Sequence, residues 1–276
     1  MSIRPSRKEL IYTLWDELAD IDTTNLDDSR DCLLKGLCHL VDAQNATWVG
    51  SVRIGVPGPQ DPMFGWRPYV AHFLYPPRQK FNTSAEIKRM IEQDDVDDVC
   101  KFNTSRMGNR RAYLLREMVS PAWFDSDEYK ANYLSLGHKD GILASVPVNE
   151  DAEAGFCLFR DENRDCFTEE DKETIDYALR GLRWFHRQQL LGHGLLLAKS
   201  PLTPAERSVL ELLLQGFPEK KIASLLGKSY YTVHDHVTRI FRKFDVKSRA
   251  SLQALWLTPR QRAASALEIN AISKAG

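Results

Sequence analysis

The side chains best equipped for chemistry crowd into residues 219–249 of this 276-residue chain. Tyr230, His234, Asp235 and Thr238 are hydrogen-bonding groups at helical spacing, so one helix face would present them together to base edges in a DNA major groove. Lys220, Lys221, Lys228, Thr232, Arg239, Arg242, Lys243, Lys247 and Arg249 surround them as candidate phosphate contacts, which place a protein on DNA without reading sequence. Asp235 fits either a cytosine amine or a solvent-facing position, and residue type alone leaves both open. His236 is read as a packing or phosphate-facing residue rather than a metal ligand.

These groups need a rigid carrier, and the local sequence supplies one. Thr203, Pro204 and Glu206 form an N-cap, a first-turn proline and a capping-box acid, followed by the apolar stripe Val209, Leu210, Leu213 and Leu214, which Gly216 closes. A second helix is expected over 219–226, ending at Gly227. A third opens at Ser229, with Val233, Val237, Ile240, Phe241 and Phe244 facing inward. Helix, tight turn and helix make a shape that enters a groove. A fourth helix after Ser248 carries Leu252, Leu255 and Trp256 and ends at Thr258-Pro259; its leucines are expected to close the small core.

Charge separates this stretch from the rest. Residues 201–262 hold eleven basic side chains against five acidic ones and residues 263–276 are neutral, so a net charge of -1 for the chain leaves residues 1–200 at -7. A basic module joined to an acidic one predicts that only the first meets a polyanion. Cys32, Cys38, Cys100, Cys157 and Cys166 are odd in number and lack a CxxC spacing, which predicts idle or buried thiols in a reducing compartment. MSIRPSRKEL has no apolar signal core, and no run approaches the roughly 18 apolar residues of a membrane span, so a cytoplasmic location with no membrane partner is expected.

Upstream, helices are expected over 7–19 and 31–41, from Leu10, Ile11, Leu14, Trp15 and Leu18 and from Leu33, Leu34, Leu37, Leu40 and Val41. Alternation predicts strands at 47–55, 69–75 and 141–148, while 154–160, apolar on both faces, predicts a central strand. VPGPQDP marks a turn-rich interval; 84–93 and 125–136 read as helical, and 112–119 fits either strand or helix. Asp94, Asp95, Asp97 and Asp98 are read as a solvated turn and helix start in preference to a metal site. From Thr168, capped with Asp171, one helix of about 24 residues is expected to reach roughly 36 Å. Gly192 and Gly194 then open a linker. The order of elements predicts an α+β domain over 1–191, a linker over 192–200, an all-α four-helix domain over 201–260 and a tail over 261–276. Trp48, Trp66, Tyr69, Phe73, Trp123 and Tyr133 are candidate linings of a small-molecule pocket, or core. The sequence leaves any cofactor open, and no HExxH, GxSxG, P-loop or paired Cys/His spacing points to an enzyme.

The stretch LTPAERSVLELLLQGFPEKKIASLLGKSYYTVHDHVTRIFRKFDVKSRA resembles the LuxR/GerE-type helix-turn-helix of bacterial transcription regulators. Glu206, Val209, Leu210, Gly216, Ile222, Ala223, Leu226, Gly227, Ser229, Thr232, Val233, His236, Ile240, Lys243, Val246, Ser248 and Arg249 all stand at positions of that pattern. The resemblance implies a regulator of transcription that binds double-stranded DNA as a homodimer reading inverted half-sites, with the helix after Ser248 supporting the dimer, and that answers to an unknown signal or partner, a small-molecule effector being one candidate. There are two departures. Pro218 replaces the usual Ser, Thr or Asn before the second helix, a cap worth about 1 kcal/mol. His234 and Asp235 stand where Lys or Arg is common. The first 190 residues resemble a GAF-type sensory domain, through GILASVPV, GFCLFR and FTEED with the WFHRQ helix. The acidic residues of a phosphoacceptor receiver are missing, and Trp66 and Tyr69 lack the spacing and the Asp of acyl-homoserine-lactone sensors. The alternative is a protein-interaction module that dimerises through 179–191 and does not bind DNA itself.

Overall fold

Alternating apolar residues in the upstream region pair into one sheet. A computed structural model describes residues 6–22, 25–53, 61, 63–76, 96–196 and 202–257. In it β1 (Asn45–Arg53), β2 (Trp66–Phe73), β3 (Arg111–Leu114), β4 (Asp140–Asn149) and β5 (Ala152–Arg160) form an antiparallel sheet in the order β2-β1-β5-β4-β3. The doubly apolar β5 takes the central place, as its composition predicts. Register assigns the faces. Trp48 stands opposite Phe156 and Thr47 opposite Cys157, so Trp48, Phe156, Leu158 and Ile142 share one face and Thr47, Cys157 and Leu143 the other.

The helices of this region are α1 (Arg7–Asp20), α2 (Leu26–Leu40), α3 (Asp98–Thr104), α4 (Leu115–Met118), α5 (Asp127–Asn132), α6 (Glu169–Arg180) and α7 (Arg183–Gly192). The stretch 112–119 is both strand and helix, because β3 ends at Leu114 and α4 follows at once. Residues 125–136 divide into α5 and flanking 3-10 turns, the last closed by Gly137 at φ 77°. Asp97 caps α3, accepting from the Cys100 amide at 2.6 Å, and its carboxyl is raised above the usual range by burial. All five cysteines are free, and burial pushes the Cys38, Cys100 and Cys157 thiols up to about 12, where they are inert. The expected helix at 84–93, most of the VPGPQDP turn, Asp94 and Asp95, the end of the linker, the Thr258-Pro259 stop and the tail lie outside the described residues.

The helix expected to run unbroken from Thr168 stops at Gly181 and Leu182 and restarts as α7. Trp15 packs on Gly181, where a Cβ would fall 2.8 Å from the indole. The indole N–H donates to Ala178 O at 2.9 Å, and His186 Nε2 lies 3.1 Å from Leu179 O. Side chains thus take carbonyls that a continuous helix would keep for itself. The apolar stripe runs on across the break, which is why periodicity did not show it. Its members Leu179, Leu182, Phe185, Leu190 and Leu191 are at most 1% exposed, so this stripe is core and not the dimerising surface expected for an interaction module.

The chain falls into two units, Met1–Asp22 with Asp27–His186 and Thr23–Leu26 with Arg187–Gly276. The second contains the four expected helices, α8 (Pro204–Leu214), α9 (Glu219–Leu225), α10 (Tyr230–Phe244) and α11 (Arg249–Leu257). They close on Val209, Leu210, Leu213, Ile222, Val233, Val237, Ile240, Phe244 and Leu252. Among the described residues no helix is long and apolar enough to cross a membrane.

Candidate nucleic-acid interface

The second unit is held together by its caps. Thr203 Oγ1 accepts from the Glu206 amide at 3.3 Å, and Glu206 Oε2 accepts from the Thr203 amide at 2.8 Å. The same oxygen receives Lys243 Nζ at 2.7 Å, tying the last turn of α10 to the first turn of α8. Burial alone would raise the Glu206 carboxyl, but the hydrogen bonds from Lys243 and Thr203 outweigh it and hold the carboxyl below its usual range. At the other end of α8, Arg249 donates to Phe217 O at 2.9 Å and to Leu213 O, while Gln253 reaches Leu214 O at 3.3 Å. The open carbonyls of the α8 C-terminus are thus met from α11. Gly216 and Gly227 take φ of 96° and 61°, the left-handed turns that end α8 and follow α9. Pro218 leaves α9 without a side-chain cap.

α10 starts at Ser229, whose Oγ accepts from the Thr232 amide at 3.1 Å. Val233, Val237, Ile240 and Phe244 turn inward, so helical geometry forces Tyr230, Tyr231, His234, Asp235, Thr238 and Arg239 outward, and all six are exposed. Four of these side chains, His234, Asp235, Thr238 and Arg239, already have polar partners. His234 Nδ1 lies 2.9 Å from Glu219 Oε2 on α9, and its ring stacks on Tyr230 with centres 6.0 Å apart. Asp235 Oδ2 lies 2.6 Å from Arg239 Nη2, one turn on. Thr238 turns its hydroxyl to His234 O at 2.9 Å.

The expected phosphate contacts separate into two groups. Lys220, Lys221, Lys228, Thr232, Arg239, Arg242 and Lys247 are exposed around α9 and α10. Lys243 and Arg249 are turned inward onto Glu206 and the α8 carbonyls, so these two hold helices together instead of offering charge to a ligand. His236 is half-buried, with Nδ1 lacking a hydrogen-bond partner among the described residues, as a packing residue would be. Sequence reasoning missed Tyr231. At 82% exposure it is the most open of the large apolar side chains among the described residues, and its place two residues after the cap is a signal that was available.

The six aromatics read as pocket lining or core do not all share one sheet face: Trp48 stands opposite Phe156, whereas Phe73 stands opposite Thr47 on the other face. Trp48 is fully buried, with the Arg30 guanidinium 5.6 Å from its ring. Trp123 and Tyr133 pack with Tyr129 and Phe159, and Phe159 alternates with Leu158 to the opposite sheet face from Trp48. Trp66 is buried near Gly108 and carries the Arg53 guanidinium at 5.5 Å; Tyr69 is 40% exposed, and Phe73 is half-buried. The sheet also holds a buried ion pair that the sequence did not announce. Arg111 Nη2 and Glu153 Oε1 lie 2.7 Å apart, both nearly inaccessible, with the Gly108 amide on Glu153 at 2.9 Å. Among the described residues no group of His, Cys, Asp and Glu could hold a metal ion.

Comparison with known proteins bears on the second unit. The family model for "Bacterial regulatory proteins, luxR family" matches residues 200–255. The nitrate/nitrite response regulator NarP of Escherichia coli is 43% identical over 61 residues, 22% of this chain and 28% of NarP. The nitrate/nitrite response regulator NarL of the same organism is 43% identical over 56 residues, 20% of this chain and 26% of NarL. The matched stretch thus spans about a quarter of the length of these curated relatives. Of solved structures, Escherichia coli SdiA aligns at a TM-score of 0.42 and 15% identity over 90% of this chain and 96% of that one, a likeness from which no function is read. The capped helices, the outward face of α10 and these matches agree that residues 200–255 are a LuxR-family helix-turn-helix domain.

Proposed function

We propose that the chain is a cytoplasmic regulator of transcription that binds double-stranded DNA as a homodimer, and that its first unit receives a small-molecule or protein signal. The observation that carries this reading is the outward face of α10. Tyr231, His234, Asp235 and Thr238 stand on a rigid helix, inside a ring of exposed Lys and Arg, on a LuxR-family fold. Base contacts are assigned to Tyr230, His234, Asp235 and Thr238, and phosphate contacts to Lys220, Lys221, Lys228, Thr232, Arg242 and Lys247. Arg239 joins these when Asp235 releases it. We treat residues 1–191 as the sensory region, 192–200 as a linker and 201–260 as the DNA-binding domain. No catalytic residue is assigned.

Selection of bound fragments from genomic DNA, followed by a salt titration on the best of them, tests the proposal. The logarithm of the binding constant should fall by roughly 0.9 per phosphate neutralised. Binding that ignores salt, or no enrichment over random fragments, would sink it.

A further inference from the structure

α1 and α6 lie side by side and parallel. Arg7 Nη2 meets Asp171 Oδ1 at 2.9 Å, and two turns further along both helices Trp15 Nε1 meets Ala178 O at 2.9 Å. The two helices therefore share an outer face. At its centre stand Tyr12, 42% exposed, and Tyr177, 45% exposed. Trp15 bridges them, its ring centre 5.8 Å from Tyr12 and stacked 6.0 Å from Tyr177. A contiguous group of exposed aromatics is the material from which protein interfaces are made.

The charges around this centre alternate. On α6, Glu173 stands one turn before Tyr177 and Arg180 one turn after it; on α1 the order reverses, with Lys8 before Tyr12 and Asp16 after it. Lys8 Nζ sits 5.7 Å from the centre of the Tyr12 ring. Glu173, Arg180 and Asp16 make no ion pair among the described residues. Consider a two-fold axis in the plane of this face, crossing the helices near Tyr12 and Tyr177. It lays each helix antiparallel on its own copy, so that Glu173 meets the partner's Arg180 and Lys8 meets the partner's Asp16, each pair occurring twice. The face complements itself, and a different protein would have to carry the same alternation to fit it.

We propose that a second copy of this chain docks on the α1 and α6 face, with Tyr12, Trp15 and Tyr177 as the apolar centre and Glu173 and Arg180 as the flanking charges. The proposal rests on the reading of the chain as a dimeric regulator and names the surface that makes the dimer. Sedimentation equilibrium of the full chain, of Arg180→Glu, of Glu173→Arg and of the double exchange tests it, alongside binding of each to a DNA fragment selected with the wild type. Circular dichroism checks that each variant folds, which their exposure favours.

Each single variant should raise the dimer dissociation constant at least about tenfold, since like charges then meet twice. The double exchange should return it to within about threefold of the wild type. A wild-type chain that stays monomeric, a dimer that ignores both single exchanges, or a double exchange that fails to recover would each overturn the proposal. The DNA measurements keep the two readings apart. DNA binding by a chain whose self-association ignores these substitutions sinks the docking face and leaves the regulator. A dimer that responds to them but binds no DNA sinks the regulator and leaves the face.

Discussion

Lys243 stands in sequence among candidate phosphate contacts, yet its ammonium lies 2.7 Å from Glu206, with 17% of the lysine side chain and 3% of the glutamate side chain exposed. Lys243→Ala would leave that carboxylate buried, with the Thr203 amide as its remaining donor. Breaking a fully buried pair costs about 3–5 kcal/mol. Because the ammonium is partly wet and the amide stays, a loss of about 2–3 kcal/mol is expected. In a domain of this size 1 kcal/mol moves the midpoint by about 4–8 °C, so the helix-turn-helix transition should fall by about 10–20 °C in scanning calorimetry of the full chain. Glu206→Gln combined with Lys243→Met removes both charges, keeps an acceptor for the Thr203 amide, and should recover most of the loss. The sign with pH follows from the Glu206 carboxyl, which is held below its usual range despite burial. With a folded pKa below the unfolded value of about 4.3, the contribution is complete at neutral pH and is lost as the pH falls through the folded pKa. A Lys243→Ala chain that melts within about 2 °C of the wild type and loses about 0.9 from its salt slope on DNA would refute this reasoning, because the ammonium would then have been on a phosphate.

Asp235→Ala should release Arg239 and steepen the salt slope by about 0.9 per module, read by fluorescence anisotropy; an unchanged slope means that Asp235 does not withhold that charge. Tyr231→Ala should leave the melting midpoint unchanged, as an exposed position implies, while weakening binding to the selected fragment; equal affinity would remove Tyr231 from the interface. Burial pushes His138, stacked 3.9 Å from Phe159, down to about 4. The unfolded ring binds its proton near pH 6.5, so this one ring should lower the stability of the first unit as the pH falls from about 6.5 to 4, by up to about 1.4 kcal/mol per pH unit, and His138→Phe should remove that share of the decline in pH-dependent melts. Gly181→Ala places a methyl 2.8 Å from Trp15 and should cost about 1–3 kcal/mol; an unshifted denaturation midpoint would show that the α6–α7 break does not depend on this contact.

Much of this was legible before folding, but unevenly. The caps at Thr203 and Ser229, the glycines at 216 and 227 and the inward stripe of α10 are local signals, each decided within four residues, and the helices sit where those signals place them. The outward position of Tyr230, His234, Asp235 and Thr238 follows from the same periodicity. The central place of β5 followed from its two apolar faces. The break at Gly181 was hidden because Trp15, far away in sequence, makes it.

By itself the sequence determined two modules of opposite charge, the family of the second, and the face its third helix turns outward, because caps, periodicity and net charge are properties of neighbouring residues. Only the tertiary structure decided which charged groups remain available. Lys243 and Arg249 are drawn inward, Arg111 closes on Glu153, and Trp48 is set on the opposite sheet face from the Phe159 ring on which Tyr133 packs. The reason is physical: an ion pair, a capped carbonyl and a sheet face are each made by residues far apart in the chain, and residue type reports a side chain's charge or ring but not the partner that folding brings to it.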